Sequence, residues 1–165
     1  MALAEMEQAK EIDIYRDTPL RFLGYTNEVG EAFRPLIHKT IVNLSYASAF
    51  LYVLADVRDK VVKMKKSLST IDETSSYTHK KVIIAGADTL LWQTLASIAI
   101  PGFTINRICA ANYYILKKAT KLPKPTRKYI TTAVGLLSIP FIIHPIDDLT
   151  TYSMDNSIRK LYHKN

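Results

Sequence analysis

The chain has 165 residues, and its 22 Lys and Arg against 15 Asp and Glu give a net charge of +7. Its mean hydropathy is near zero because strongly basic segments offset long apolar runs, so a soluble protein does not follow from the average. The single cysteine, Cys109, excludes an internal disulfide and a cysteine-based metal cluster. Residues 1–17 are predicted to be flexible, and their five acids and lack of an apolar core argue against a cleavable presequence.

Residues 19–36 are predicted to form an amphipathic helix ahead of the first membrane span. Thr18 and Pro19 supply a cap residue and a proline in the first turn. Apolar side chains then recur at helical spacing from Phe22 to Leu36. We expect this helix either to lie on the membrane surface or to pack against the spans.

Three apolar runs are candidate transmembrane helices, at about residues 37–56, 82–105 and 129–146. The second run has one charged side chain, Asp88, and the third has no Lys, Arg, Asp or Glu. Runs of 18 or more such residues can cross the roughly 30 Å hydrocarbon core. The predicted fold class is all-α: a small multi-pass bundle of about three transmembrane helices, with amphipathic N-terminal and short C-terminal helices, in one domain of residues 1–165.

Two basic loops, residues 60–81 and 117–128, are predicted between the spans. Residues 67–79 are rich in Ser and Thr and best fit a flexible loop, and the two prolines of residues 121–126 predict a firm break. The Lys and Arg residues are shared almost evenly between the two sides of a three-span topology, so the positive-inside rule leaves the orientation open.

Local breaks and pairs are predicted within the second span and the C-terminal helix. Pro101 and Gly102 are expected to kink or end the second helix, which leaves residues 110–116 too short to cross alone. Asp155 and Arg159 have the i,i+4 spacing of an ion pair.

The basic residues after the first span are candidates for contact with anionic lipid head groups, including cardiolipin. These lipid-facing candidates are Arg58, Lys60, Lys63, Lys65 and Lys66. Ordinary solubilising charge explains them equally well. A nucleic-acid partner is disfavoured, because only the net charge supports it.

Asp88 is the most informative polar residue, because an acid at the centre of a span costs about 2.5 to 3.5 kcal/mol on insertion scales. Either it functions chemically, or it holds the bundle together through Arg107 or a hydroxyl group. The intramembrane polar candidates are Asp88, Gln93, Arg107 and His144. Small residues four apart, Ser45/Ala49 and Thr131/Gly135, offer faces on which helices can approach closely.

No motif for an enzyme is present in the sequence. The four histidines lack metal-ligand spacing, the glycines form no phosphate-binding loop, and no nucleophile motif occurs. We therefore predict no catalytic residue, no cofactor and no metal. A small transporter, channel or proton-leak regulator is the alternative, on the strength of Asp88, His144 and two proline-interrupted spans.

Several longer segments closely resemble the mitochondrial fission process protein 1 (mitochondrial 18 kDa protein) family. They are LGYTNEVGEAFR at 23–34, DTLLWQTLASIAIPGFTINRICAA at 88–111, TTAVGLLSIPFIIHPID at 131–147 and SIRKLY at 157–162, with YRDT at 15–18 and YVLAD at 52–56. The resemblance implies a non-enzymatic, multi-pass protein of the mitochondrial inner membrane that promotes fission and is linked to apoptotic sensitivity. It implies partners among membrane or fission-machinery proteins, and it leaves homo-oligomerisation open. The family supplies no site residues to transfer.

Overall fold

The computed structural model describes residues 19–69 and 75–162, and all regular structure in these two ranges is helical. A short 3-10 segment, Pro19–Tyr25, leads directly into the first α-helix. The α-helices are α1 (Thr26–Phe33), α2 (Lys39–Ser69), α3 (Ser75–Gln93), α4 (Ile100–Ala119), α5 (Lys124–Asn156) and α6 (Ile158–Tyr162). A π-helical segment, Thr94–Ala99, joins α3 and α4 into one continuous helix. The all-α prediction is confirmed.

Three stretches of helix are long and apolar enough to cross a membrane: Lys39–Lys66, His79–Ala119 and Lys124–Lys160. On α2, exposed apolar side chains extend from Ile41 to Leu54, ahead of the charged residues that begin at Asp56. An exposed apolar band of this kind suits a lipid environment.

The short helix α1 lies at the centre of the bundle, in contact with α2, α4 and α5. Its Ala32 forms the apolar core with Ile105 and Cys109 of α4, and all three are at most 5% exposed. Two glycines allow close approach. A Cβ atom added to Gly30 would lie 1.9 Å from the Ser45 hydroxyl oxygen of α2, and one added to Gly135 of α5 would lie 3.0 Å from the Ala32 Cβ atom. The predicted small-residue faces on α2 and α5 therefore pack closely, and each of them contacts α1.

The prediction for residues 19–36 needs two corrections. The α-helical part is only Thr26–Phe33, because the preceding seven residues adopt the tighter 3-10 geometry and the chain turns after Phe33. Its polar side is buried: Asn27, Glu28 and Glu31 are at most 2% exposed. Of the two expected locations, α1 packs against the spans.

Of the two outcomes expected at Pro101, an end of the helix is wrong, because the helix continues to Ala119. Proline lacks an N–H and its ring crowds the carbonyl four residues earlier, and the wider turn of the π segment before it relieves this conflict. Residues 110–116 are thus an integral part of α4. Pro140 and Pro145 are likewise accommodated inside α5, which runs on to Asn156.

The predicted basic loops are mostly helical. Residues 60–69 continue α2 and residues 75–81 belong to α3, whereas residues 70–74 lie outside the described part of the chain. The second loop shrinks to residues 120–123, so the break predicted by the two prolines is confirmed but is only four residues long. The prediction for residues 1–17 also falls outside the described residues.

Candidate polar site within the bundle

The Glu31 carboxylate is the centre of a polar cluster that joins three helices. It accepts a hydrogen bond from the Tyr46 hydroxyl of α2 at 2.9 Å and from the Asn106 amide of α4 at 2.9 Å. The Arg34 guanidinium, at the end of α1, donates to both carboxylate oxygens, with its Nε 2.6 Å from Oε2. We call these four residues the Glu31 cluster. A buried carboxylate with this many donors is well compensated for its loss of water.

The electrostatics of Glu31 follow from these contacts. Burial alone would raise the pKa of its carboxyl group, but hydrogen bonds from Arg34, Asn106 and Tyr46 outweigh burial and lower it below the ordinary value. Gly102 makes room for the contact, since a Cβ atom there would lie 2.4 Å from the Tyr46 hydroxyl oxygen. The Pro-Gly step that was expected to break the helix therefore creates the space that Tyr46 needs.

Glu28, one turn earlier on the same helix, has the opposite environment. Its side chain is fully buried, and neither carboxylate oxygen has a hydrogen-bond partner among the residues that the structure describes. Burial, and secondarily the charge of Asp147, raise the pKa of Glu28 to about 8. A buried polar group without partners is rare in folded proteins and indicates a functional or hydrated position.

Glu28 lines a cavity of about 310 Å³ between α1, α2, α3, the π segment and α5. We call this the Glu28 cavity. Among the described residues, its polar lining includes Glu28, Gln93, Ser97, His144 and Asp147, and its aromatic lining includes Tyr25, Tyr52 and Trp92. Single-turn π segments occur frequently at functional sites, because they displace side chains and free backbone carbonyls. Here the Ile98 carbonyl accepts a 3.2 Å hydrogen bond from the Asn27 amide.

A second buried acid, Asp56 of α2, lies beside the cavity. It accepts hydrogen bonds from the Gln93 amide and, at 2.9 Å, from the Lys60 ammonium group. Gln93 in turn accepts a 2.9 Å hydrogen bond from Ser97. Of the predicted polar candidates, Gln93 therefore has a structural contact at the wall of the cavity, and His144 lines the cavity from an exposed position.

Asp88 is paired with Arg159 and not with Arg107. The Arg159 guanidinium donates to both carboxylate oxygens of Asp88, at 2.9 and 2.6 Å, and also to Asp155 at 2.8 Å. The i,i+4 pair predicted for Asp155 and Arg159 is thus confirmed. Arg107 is exposed, donates to neighbouring Asn106 and covers the Phe103 ring at 5.5 Å.

The five basic candidates divide into two kinds. Lys60 and Lys63 form ion pairs with Asp56 and Asp59, one turn away on the same helix. The other three are exposed near the end of α2: Arg58, Lys65 and Lys66.

The residues that the sequence interpretation missed, Glu28 and Glu31, lie on the polar side of the predicted amphipathic helix. An amphipathic pattern reports that one face is polar but does not distinguish bulk water from a polar interior. One signal was available: the residues beside the two acids, Gly30 and Ala32, are small, which favours close packing against another helix.

Comparison with known proteins identifies the family of the chain. Residues 8–154 match the sequence model of the family described as mitochondrial 18 kDa protein. The human mitochondrial fission process protein 1 is 53% identical over 152 residues, covering 92% of this chain and 89% of the relative. The Caenorhabditis elegans protein of the same name is 49% identical over 162 residues, 98% of this chain and 96% of the relative. The Danio rerio protein of the same name is 51% identical, covering 93% of this chain and 91% of the relative. No solved structure matches the chain.

Three helices long and apolar enough to cross a membrane, with polar contacts between them, are the architecture of a multi-pass helical membrane protein. The chain belongs to the mitochondrial 18 kDa protein family, as its resemblance had indicated. This membership supports a mitochondrial location and a role in mitochondrial fission.

Proposed function

We propose that the protein is a non-enzymatic, integral protein of the mitochondrial inner membrane that promotes fission and thereby influences apoptotic sensitivity. The observation that carries this proposal is the family match, which extends over residues 8–154 and includes all three candidate spans except the last residues of the third. The structure supports it with a bundle in which exposed apolar side chains suit lipid.

Mitochondrial network shape tests the fission role. We expect depletion of the protein to give elongated, hyperfused mitochondria, and re-expression of the wild-type chain to restore fragmentation. A normal network after verified depletion would contradict the role. Protease protection in intact mitochondria and in mitoplasts tests the inner-membrane location. Cleavage of terminal tags in intact mitochondria would place the protein in the outer membrane and overturn that part of the proposal.

Anionic lipid, cardiolipin in particular, is the proposed partner of the exposed basic residues at the end of α2. Arg58, Lys65 and Lys66 are exposed, whereas Lys60 and Lys63 are partly buried. Reversing the three exposed charges to Glu is expected to weaken binding to cardiolipin vesicles, by an amount that shrinks with salt. Reversal of Lys117 and Lys118, at the other end of the bundle, is the matched control. If reversal of Lys117 and Lys118 weakened vesicle binding as much as reversal of the three α2 charges, a dedicated lipid site at the end of α2 would be contradicted.

A small transporter or channel is the second candidate function, and Glu28 now supports it better than Asp88. Asp88 is paired with Arg159, whereas Glu28 lies beside a cavity inside the bundle and has no hydrogen-bond partner among residues 19–69 and 75–162. Intramembrane acids that face a cavity mark ion pathways in many transporters. Ion flux into liposomes that is lost on Glu28→Gln and kept on Asp88→Asn would favour this function. Absence of flux in the wild type would remove it.

Fission-machinery proteins and a second copy of the chain are the proposed protein partners. Crosslinking in intact mitochondria, followed by identification of the crosslinked species, would test both. A protein recovered only as an uncrosslinked monomer would contradict them.

A further inference from the structure

A second cavity, of about 270 Å³, lies between α4, the start of α5 and the connection from α1 to α2. We call it the Lys128 cavity. Its wall on α4 runs from Asn106 to Tyr113, which is about 10 Å at 1.5 Å per residue, and includes the apolar side chains of Cys109 and Ala110. Ala110 and Lys128 are exposed, so the cavity opens to the outside of the bundle.

The charges around this cavity are almost all positive. Among the described residues, its lining contains Arg34 and Lys128 and no Asp or Glu. Residues 89–146, which include all of α4 and the first two-thirds of α5, have seven Lys and Arg and no acid. A basic cavity without acids of its own attracts an anion.

Both cations of the lining can donate to such an anion. Lys128 is exposed and forms no ion pair or hydrogen bond with residues 19–69 or 75–162. Arg34 uses its Nε and Nη2 atoms for Glu31, which takes up two of the five N–H groups of the guanidinium. Because the Arg34 side chain is 38% exposed, its other N–H groups can serve a second acceptor. Lys128 thus supplies the net charge and Arg34 supplies additional donors.

The position of the cavity along the helices indicates that the anion belongs to a lipid. Lys128 is the last charged residue before the uncharged run of residues 129–146. The exposed rings of Tyr114 and Tyr129 lie at the same end of the bundle, where α4 ends in Lys117 and Lys118. Exposed tyrosines between an apolar run and basic residues are typical of the head-group level of a bilayer. An anion at this level, beside an apolar wall, is the phosphate of a phospholipid.

We propose that the Lys128 cavity binds one anionic phospholipid. Its phosphate accepts hydrogen bonds from the Lys128 ammonium group and the Arg34 guanidinium, and part of an acyl chain lies against Cys109 and Ala110. Basic pockets between transmembrane helices bind lipid head groups in this way. The site is distinct from the surface contact proposed for the far end of α2, because it holds a single lipid molecule in a cavity. It can be absent while the fission role stands, since it concerns binding by the purified protein.

Native mass spectrometry of the full chain in a non-ionic detergent measures this binding, because each bound lipid adds its own mass. Phosphatidylglycerol and phosphatidylcholine with identical acyl chains are the titrants, since their head groups differ in net charge. We expect the first phosphatidylglycerol to bind at least about tenfold more tightly than phosphatidylcholine, as expected for a charge-assisted hydrogen bond. Equal affinities for the two lipids would overturn the proposal.

Two adjacent alanines test whether the cavity holds the lipid. Ala110 lines the cavity, whereas Ala111 is also exposed and does not line it. We expect Ala110→Phe to fill the cavity and abolish binding of the first phosphatidylglycerol, and Ala111→Phe to leave it unchanged. Binding that survives Ala110→Phe would place the lipid elsewhere and contradict the proposal.

Two exposed lysines form the matched pair for charge. Lys128 lines the cavity, whereas Lys121 lies in the loop of residues 120–123 and does not line it. Lys128→Gln should weaken phosphatidylglycerol binding about tenfold, and Lys121→Gln should leave it unchanged. Equal losses in both variants would show general attraction to a basic surface and would overturn the proposal. Unchanged thermal unfolding establishes that each variant is folded.

Inorganic phosphate and the oligomeric state test the other occupants of the cavity. We expect millimolar phosphate to leave phosphatidylglycerol bound, because it lacks the acyl chain. Displacement of the lipid by phosphate in the wild type would assign the site to a free anion. A dimer that dissociates on Ala110→Phe would assign the cavity to a second copy of the chain, and either result would overturn the lipid proposal.

Discussion

Glu28 and Glu31 lie one turn apart on a helix of eight residues, yet the bundle treats them in opposite ways. Glu31 is surrounded by donors from α1, α2 and α4, while Glu28 is equally buried and has none among the described residues. The two acids thus differ because the surrounding helices present hydrogen-bond donors to Glu31 and a cavity to Glu28. The Glu31 cluster connects α1, α2 and α4.

The largest expected effect is that of Glu31→Ala. Removing the carboxylate leaves the Tyr46 hydroxyl and the Asn106 amide without their acceptor, and each donor left unsatisfied inside the bundle costs about 1–3 kcal/mol, whereas the partly exposed Arg34 can be hydrated. We expect a correspondingly lower free energy of unfolding, measured by circular dichroism in mixed detergent micelles. Asp59→Ala, which breaks a partly exposed ion pair on α2, is the control and should cost less than about 1 kcal/mol. Equal losses in both variants would mean that the Glu31 cluster does not stabilise the bundle.

Glu28→Gln should have the next largest effect, because it removes a pH dependence of the wild-type stability. Because the pKa of Glu28 is raised from about 4.5 to about 8, the folded state holds the proton longer than the unfolded state does. The wild type should therefore lose stability as pH rises from about 4.5 through 8, by a few kcal/mol at most at 1.4 kcal/mol per pKa unit. Glu28→Gln should remove this slope and be more stable than the wild type above pH 8. A variant with the wild-type slope would show that Glu28 is not the titrating group.

The lowered pKa of Glu31 gives a dependence of the opposite sign. Its contribution is present above the ordinary carboxyl value and is lost as pH falls through the lower folded value. Wild-type unfolding measured from pH 3 to 9 should therefore show an optimum in the acidic range, with Glu31 responsible for the loss below it. In Glu31→Gln the acidic decline should be shallower. An unchanged acidic limb would separate Glu31 from the acid sensitivity.

A smaller effect is expected for Gly135→Ala, which tests the packing beneath the Glu31 cluster. The added methyl group would lie 2.6 Å from the Cys109 sulfur and 3.2 Å from the Ala32 Cα atom, so backbone has to move. Overpacking of this kind costs about 1–3 kcal/mol. Gly86→Ala is the matched control, because its methyl group meets only the tip of the Val61 side chain at 2.8 Å, while alanine gains helix propensity. Similar unfolding curves for the two variants would argue against tight packing of α1 on α5.

The smallest effect should come from Asp88→Asn. The ion pair with Arg159 is about one-fifth exposed on each side, so solvent screening limits it to about 1 kcal/mol. Its loss should act locally, by loosening α6 from α3, and hydrogen exchange of residues 158–162 should rise while that of α1 does not. Asp155→Asn removes the more exposed partner of Arg159 and should change exchange less. Faster exchange throughout α1 would show that Asp88 supports the polar interior after all.

The helices themselves were largely predictable from the sequence, because apolar runs of span length have few alternatives. The break after Ala119 follows from two prolines, and the Asp155–Arg159 pair follows from helical spacing. Pro101 shows where local rules fail. Proline is disfavoured within a helix, but the π segment accommodates it within the continuous span between α3 and α4.

The sequence alone determined that this chain is a helical membrane protein of its family, since hydropathy and long shared segments are properties of the linear chain. Only the tertiary structure decided where α1 lies, that Asp88 pairs with a residue 71 positions away, and that Glu28 and Glu31 have opposite surroundings. The physical reason is that helical periodicity identifies a polar face without identifying what meets it. In this bundle, α2, α4 and the end of α1 supply donors to one acid, and a cavity lies beside the other.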